Sequence, residues 1–475
     1  MRMPIDARPP HPPVDAPAPA LHRRASVPLR TLSAHHMTAT DTLARLHAAI
    51  PAAGLFAEKD WLLSPEPLRL DAAFIEELEK LGHRLTIFQR AQNELYHRSV
   101  NGKAPAWIAD YLDRGKPPEL IEFARRKQFR NDVPQVIRPD LLLTADGFAI
   151  TELDSVPGGI GLTAWLGKIY AELGFDIVGG ADGMPAGFRS VLGENADILV
   201  SEESATYRPE MQWLADRANE PGAQWRVRRA EDFNRESKIE NPKSLYRFFE
   251  LFDLPNIAAA QTILNAVADG TRITPPIKPW LEEKMWLALF WSRPLREFWR
   301  RELSERNWLI LQKHIPQSWV LDPAPLPHHA VLPWLNISSW DELKTFSQKE
   351  RDFVLKVSGF SPEAWGSRGV TVAADVPQTE WAAAIDRALA DFPHHPQVLM
   401  RFAHSRIVEH PYFDPANGEI RTMRGRVRLC PYYFVAGGET KLGGILATIV
   451  PADKKLIHGM RDAILVPVAA SASAP

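Results

Sequence analysis

VIRPDLLLTADGFAITELD, residues 136–154, is the stretch on which the reading of this chain turns. Two apolar runs flank Ala145-Asp146-Gly147, and Asp-Gly offers the φ > 0 positions of a tight turn, so the segment is predicted to be strand, turn, strand. Arg138 and Asp140 lie two apart and share a strand face; Glu152 and Asp154 do the same on the returning strand. Three carboxylates and one arginine on one sheet face are costly unless something positive sits among the acids. A hard cation such as Mg²⁺ takes carboxylate oxygens and keeps phosphate oxygens as further ligands. An arginine beside them suits the phosphates through paired hydrogen bonds. An ordinary hairpin with a polar outer face, Arg138 pairing with Asp140, accounts for the same spacing.

Outward from the hairpin, Val156-Pro157-Gly158-Gly159-Ile160-Gly161 leads into an expected helix over 162–173. A strand at 196–200, a helix at 209–218 and a strand at 225–227 suit a βαβ unit in a small parallel sheet. Segments 244–252 and 257–268 continue the α/β texture. Upstream, Leu43, Leu46, Ile50 and then Phe74, Ile75, Leu78, Leu81, Leu85 and Phe88 recur at helical spacings. A long Trp-rich helical stretch is expected over 278–313. Strands follow at 353–357 and 370–373, then a helix at 380–389 and hairpin strands at 397–402, 407–410, 426–434 and 445–449. The fold class is α/β to α+β in several lobes, and no internal repeat is present.

Two further clusters carry charge. Lys356 lies in the otherwise apolar run Phe353-Val354-Leu355-Lys356-Val357, where it must meet an anion or leave through an edge. The loop after it, through Ser367-Arg368-Gly369, has glycines and serines whose N–H groups can cradle phosphate; an edge lysine with a flexible turn reads the same way. Arg424, Arg426 and Arg428 share one strand face, either as an anion-binding surface or as a charged edge that resists aggregation. The P-loop pattern GxxxxGK[ST] is absent. Gly159, Gly161 and Ala164 fit GxGxxA at a helix start, with Gly174-Phe175-Asp176 beyond, as in a nicotinamide dehydrogenase. Against that, a first Rossmann strand is a continuous apolar run, whereas this one contains Glu152 and Asp154. Cys430 reads as a core thiol, and His328-His329 and His394-His395 as surface residues of proline-rich loops.

Composition narrows the class. With 475 residues, 45% hydrophobic and 24% charged, the chain is globular in character and long enough for about three domains or lobes. A net charge of −2 supplies no overall field for nucleic acid or an anionic membrane. The single cysteine excludes a disulfide framework, a multi-cysteine zinc site and a CxxC pair. No apolar run approaches the roughly 20 residues that span a bilayer, and a soluble cytoplasmic protein is expected. Residues 1–40 are proline-rich and without periodicity, reading as a disordered leader or as sequence upstream of a start at Met37; AASASAP reads as a tail.

Taken together, Arg138-Pro139-Asp140, Glu152-Leu153-Asp154 and the Pro157-Gly158-Gly159 segment resemble the ATP-grasp superfamily, and within it the circularly permuted, glutathionylspermidine-synthase-like ligases. An R-x-D strand followed by E-x-N marks that group, with Asp154 standing here where asparagine is usual. The resemblance implies that Asp140, Glu152 and Asp154 hold Mg²⁺ and that Arg138 meets the ATP phosphates. Thr274-Pro275-Pro276 before Glu282-Glu283-Lys284 is similar to the segment of the first nucleotide lysine, implying Lys284. Lys356 resembles the second lysine, with Ser367, Arg368 and Gly369 in the mobile loop over the phosphates. Gln397–Phe402 resembles the hinge strand that reads adenine, implying Met400 and Arg401. Arg426 and Arg428, with Leu442-Gly443-Gly444, resemble the closing strands, where an arginine meets the acyl phosphate.

The expected organisation is a leader over 1–40, a helical region over 41–130, and the hairpin with a small parallel pre-ATP-grasp sheet over 131–255. A Trp-rich region with the first lysine follows over 256–345, then a glycine-loop lobe over 346–402, a closing β lobe over 403–468 and a tail over 469–475. Residues 41–130 match nothing in the pattern and are assigned either the acceptor pocket or an oligomer contact. The implied activity is Mg²⁺- and ATP-dependent joining of a small-molecule carboxylate to an amine. Neither nucleic acid nor membrane is an expected partner, and a homodimer is the default assembly. Two other classes remain open, an NAD(P) oxidoreductase built on Gly159, Gly161 and Ala164, and an inactive ATP-grasp relative that serves as a scaffold.

Overall fold

The hairpin forms as expected, from strands Val136–Thr144 and Gly147–Asp154, in a computed structural model that describes residues 37–56, 60–154, 156–234, 242–364, 366, 368–457 and 461–471. Of the turn residues only Gly147 takes a positive φ, 129°, so the Asp-Gly pair does not supply two such positions. Most of the expected leader, residues 1–36, lies outside the described residues, as do 472–475 of the expected tail. The chain divides into Met1–Thr38 and Ala39–Pro475, and the architecture below belongs to the second unit.

Among the described residues, three sheets make up that unit. The hairpin completes a seven-stranded sheet whose other long strands come from the end of the chain. Val136–Thr144 pairs antiparallel with Glu419–Ala436, which pairs in turn with Glu439–Pro451 and, along its first half, with Ile407–Asp414. Ile464–Ala470 and the short parallel strand Leu68–Leu70 extend the sheet. A second, antiparallel sheet has the order Val370–Val372, Phe353–Val357, Gln397–Arg401, Ser318–Val320. The third sheet is parallel, in the order Gln224–Arg229, Asn195–Val200, Ser244–Phe248, Arg272–Thr274. Asn195–Val200 runs buried from Ala196 on, as a strand covered on both faces must be.

The expected βαβ unit is present, with helix Arg208–Asn219 between the first two parallel strands. The Trp-rich stretch is three helices rather than one: Met285–Trp291, Arg296–Leu303 and Glu305–His314. Pro294 and the left-handed Ser304 (φ 66°) separate them, because a proline ends a helical hydrogen-bond ladder and a positive φ reverses its sense.

Residues 41–130 are built into the core. Helix Ala72–Val100 begins at Asp71, whose side chain accepts from the Phe74 N–H at 2.8 Å. Its Gly82 lies flat on Tyr433, where a Cβ would come within 2.4 Å of the ring, and the Tyr433 hydroxyl donates to the Leu78 carbonyl at 2.6 Å. Among the described residues, no helix is long and apolar enough to cross a membrane.

Candidate functional site

A cleft of about 460 Å³ opens where the three sheets meet. The hairpin and Arg428 form one wall, Lys356 and Met400 of the antiparallel sheet face it, and Phe248 and Glu250 close the end at the carboxyl edge of the parallel strands. Ligands commonly bind at such strand ends.

Local backbone geometry aims the hairpin side chains. Arg138 pairs across the ladder with Asp154, and Asp140 with Glu152, so the four polar residues are cross-strand neighbours. Immediately beyond, the register slips and Thr151 is left over as a bulged residue. A bulge leaves one residue out of the ladder and re-aims its neighbours. Here the Thr151 carbonyl accepts from Lys356 Nζ at 3.1 Å, while its hydroxyl donates to the Asp140 carbonyl at 3.2 Å.

The charges form one network. Asp140 Oδ1 accepts from Arg138 Nη1 at 2.6 Å, and Oδ2 from Arg428 Nη1 at 3.0 Å. Arg138 also pairs with Asp154, and Lys284 lies 2.9 Å from Glu152. Burial would raise the Asp140 carboxyl, but Arg138 and Arg428 outweigh it and hold it below the ordinary carboxylate range. Burial lowers the Lys356 ammonium, partly opposed by Glu152. The Arg138 and Arg428 guanidiniums are desolvated too, yet Asp140 holds both firmly charged. Cys430 lines the cleft 3.2 Å from Arg138 Nη1, with burial pushing its thiol up and so away from the reactive thiolate form.

At the other end, Glu250 and Glu282 line the cleft together. Burial, reinforced by Glu282, pushes the Glu250 carboxyl up to about 8. Arg247, whose side chain is wholly buried, pairs with Glu282, and Glu282 accepts the Leu251 N–H at 3.2 Å. Tyr207, Phe248, Phe252 and Phe360 contribute aromatic surface. Neither Glu250 nor this aromatic end was marked by any motif, because the segments that build it are far apart in the chain.

Of the residues singled out from sequence, Arg138, Asp140, Glu152, Asp154, Lys284, Lys356, Gly369, Met400, Arg401 and Arg428 all line the cleft. Arg426 does not. Its guanidinium is spent on the Ala452 carbonyl at 2.8 Å and on Ser405 at 3.1 Å, fixing loops on the neighbouring strands. Arg368 lies outside the lining, with Nη1 3.6 Å from Glu203. Ser367 falls outside the described residues. The described residues of 41–130 contribute nothing to the cleft lining, so they form no acceptor pocket in this cavity.

The donor set bears on Mg²⁺. Asp140, Glu152 and Asp154 bring oxygen donors to one wall, but each is turned to a guanidinium or ammonium of the protein. Among the described residues, no three acidic, histidine or cysteine groups are gathered as a ready metal cluster. Among the described residues, six acidic and six basic side chains line the cleft, and much of that charge is paired within the protein. Among the described residues, the Nε atoms of Arg138 and Arg428 are buried without a hydrogen-bond partner.

The dinucleotide alternative fails on geometry. The strand before Gly159 is the antiparallel return of a hairpin, not the first strand of a parallel βαβ unit. Gly161 packs on helix Arg208–Asn219, where a Cβ would meet the Glu210 carbonyl at 2.6 Å. The buried Glu210 carboxylate accepts the Leu162 N–H at 3.1 Å, taking the helix-start position that a pyrophosphate would need.

No family model matches the sequence, and no curated protein matches it. Among solved structures, a glutathione synthetase-like effector from Globodera pallida, in its apo form, matches with a TM-score of 0.55 at 10% identity, over 91% of this chain and 96% of that one. A candidate gamma-glutamylcysteine synthetase from Methylobacillus flagellatus aligns at 12% identity over 75% of this chain and 85% of its own, with a TM-score of 0.39. The first likeness shows the fold: this chain is a mixed α/β protein of several sheets with the architecture of the glutathione synthetase-like effector.

Proposed function

We propose that the chain is an ATP-dependent ligase of the ATP-grasp type, which activates a carboxylate as an acyl phosphate and joins it to an amine. The observation that carries the reading is the network of Arg138, Asp140, Glu152, Lys284, Lys356 and Arg428 on facing walls of one cleft. The fold shared with a glutathione synthetase-like effector supports it.

The chemistry needs little covalent participation from the protein. A carboxylate oxygen attacks the γ-phosphorus of ATP and ADP leaves; the amine nitrogen then attacks the acyl carbon, loses a proton, and inorganic phosphate departs. Catalysis of such transfers rests on positioning and on charge neutralisation. Lys284, Lys356 and Arg138 hold the phosphates, exchanging their carboxylate and carbonyl partners for phosphate oxygens. Arg428 steadies the acyl phosphate in place of the displaced Arg426, and Gly369 with its loop covers the phosphates. Met400 and Arg401 border the base. Asp140, Glu152 and Asp154 would hold Mg²⁺, which when bound neutralises charge on the phosphate chain. Glu250 and Glu282, beside aromatic faces, offer the end of the cleft where an amine is held and can give up its proton.

Calorimetric titration with ATP, with and without Mg²⁺, tests the reading. Wild type binds only with the metal present, and Asp140→Asn with Glu152→Gln weakens binding by about a hundredfold or more, on the order of 3 kcal/mol. Unchanged binding by that double variant would contradict the metal and phosphate assignment.

A further inference from the structure

A buried ion pair between Lys116 and Glu283 has no part in the scheme above. Both side chains are 1% exposed. Lys116 follows helix Trp107–Asp113, in the region with no counterpart in the ATP-grasp pattern. The turn holding it is wedged: Gly115 has φ +69°, and a Cβ there would lie 1.9 Å from the His394 carbonyl. The second oxygen of Glu283 accepts the Ser358 hydroxyl, which itself accepts the Met285 N–H at 2.9 Å. The Ser358 carbonyl accepts the Lys284 N–H at 2.9 Å. Glu283 therefore joins two segments, one carrying Lys284 and the other ending the strand that carries Lys356. Their backbones touch, since a Cβ on Gly359 would come within 2.7 Å of the Glu282 carbonyl.

Buried ion pairs add little net stability, whereas a buried carboxylate stripped of its cation must recruit another or take a proton. The cations at hand are Lys284, its chain neighbour, and Lys356, on the strand Phe353–Val357 that Ser358 follows. Both line the cleft. We propose that Lys116 is a positioning residue: by neutralising Glu283 inside the core, it keeps that carboxylate from drawing Lys284 and Lys356 out of the cleft, and so leaves both ammonium groups for the phosphates of a nucleotide. Lys116 Nζ also lies 5.6 Å from the ring centre of Phe360, a cleft residue, so the helical region reaches the site through this side chain. The inference rests on the nucleotide-binding reading of the cleft.

The test is Mg·ATP affinity by calorimetry alongside the melting temperature without nucleotide, for wild type, Lys116→Met, Lys116→Gln, Lys116→Arg and Lys116→Met with Glu283→Gln. Lys116→Met is expected to weaken Mg·ATP binding by about tenfold or more, about 1.4 kcal/mol. Lys116→Gln, which keeps a donor for the buried carboxylate, shows the same loss and carries the test should Lys116→Met not fold. Lys116→Arg, and the double variant that removes both charges, return to within about threefold of wild type. A purely structural pair would move the melting temperature and leave the affinity of the folded protein alone. That outcome overturns the proposal, as does a double variant that binds no better than Lys116→Met or Lys116→Gln. Wild type failing to bind Mg·ATP at all overturns the nucleotide reading and this inference with it.

Discussion

Asp140 accepts from two guanidiniums while nearly buried, with its side chain 12% exposed. Removing its charge leaves Arg138 and Arg428 facing each other, and breaking such a pair costs about 3–5 kcal/mol. Asp140→Asn is therefore expected to unfold at lower denaturant concentration as well as to bind Mg·ATP poorly. The pH dependence has a definite sign. Its folded carboxyl sits below the unfolded value, so its contribution is present above about pH 4 and lost as pH falls through the folded pKa. Below about pH 4, the stability of Asp140→Asn should fall less steeply than that of wild type in urea titrations. Glu250 behaves oppositely. Its folded carboxyl is raised to about 8, so the unfolded chain gives up the proton first, and the group destabilises the protein increasingly from the ordinary carboxylate range up through pH 8. Glu250→Gln should raise the melting temperature at pH 8–9 while lowering the rate of amide formation, the trade of stability for function expected of a working residue.

At the scale of elements, the spacing of Arg138, Asp140, Glu152 and Asp154 was enough to put four charges on one face of a hairpin, because strand period and turn chemistry are local. The bulge at Thr151 was not legible, since nothing in ITELD marks which residue drops out of a ladder. Yet the carbonyl of that bulged residue receives Lys356. The separate fates of Arg426 and Arg428 show the same limit: both share a strand face, and only the loops at Ser405 and Ala452 decide that Arg426 is spent on backbone. Gly161 shows another limit, since it fits a dinucleotide pattern while serving helix packing. Gly161→Ala is expected to lower stability by about 1–3 kcal/mol through overpacking and, away from the cleft walls, to leave the nucleotide affinity of the folded protein within about threefold. Thermal melts paired with ATP titration check both.

Across the whole molecule, composition indicated a globular chain, and the charged motifs supplied residues that the structure gathers at one cleft. The integration of residues 41–130 was invisible, because helix Ala72–Val100 reads as an ordinary amphipathic helix whether it packs on its own sheet or on another protein. Its His97, and His410 on the sheet, are each pushed down to about 4, chiefly by burial. Both are neutral in the fold and charge more readily once unfolded. Stability should therefore fall as pH drops from about 6.5 towards 4, by roughly 1–2 kcal/mol for each histidine at pH 5. Melts at pH 7 and pH 5 of wild type and of His410→Gln check this, the variant showing the smaller difference.

The measurement that bears most directly on the central claim is the melting temperature with ATP, ADP, NAD⁺ and NADPH, each with and without Mg²⁺. A ligand at about 100 times its Kd adds roughly 2.7 kcal/mol of apparent stability. Stabilisation by ATP that requires Mg²⁺, without response to either dinucleotide, is the predicted result. Stabilisation by a dinucleotide alone, or by none of the four, would contradict the assignment of the cleft to Mg·ATP.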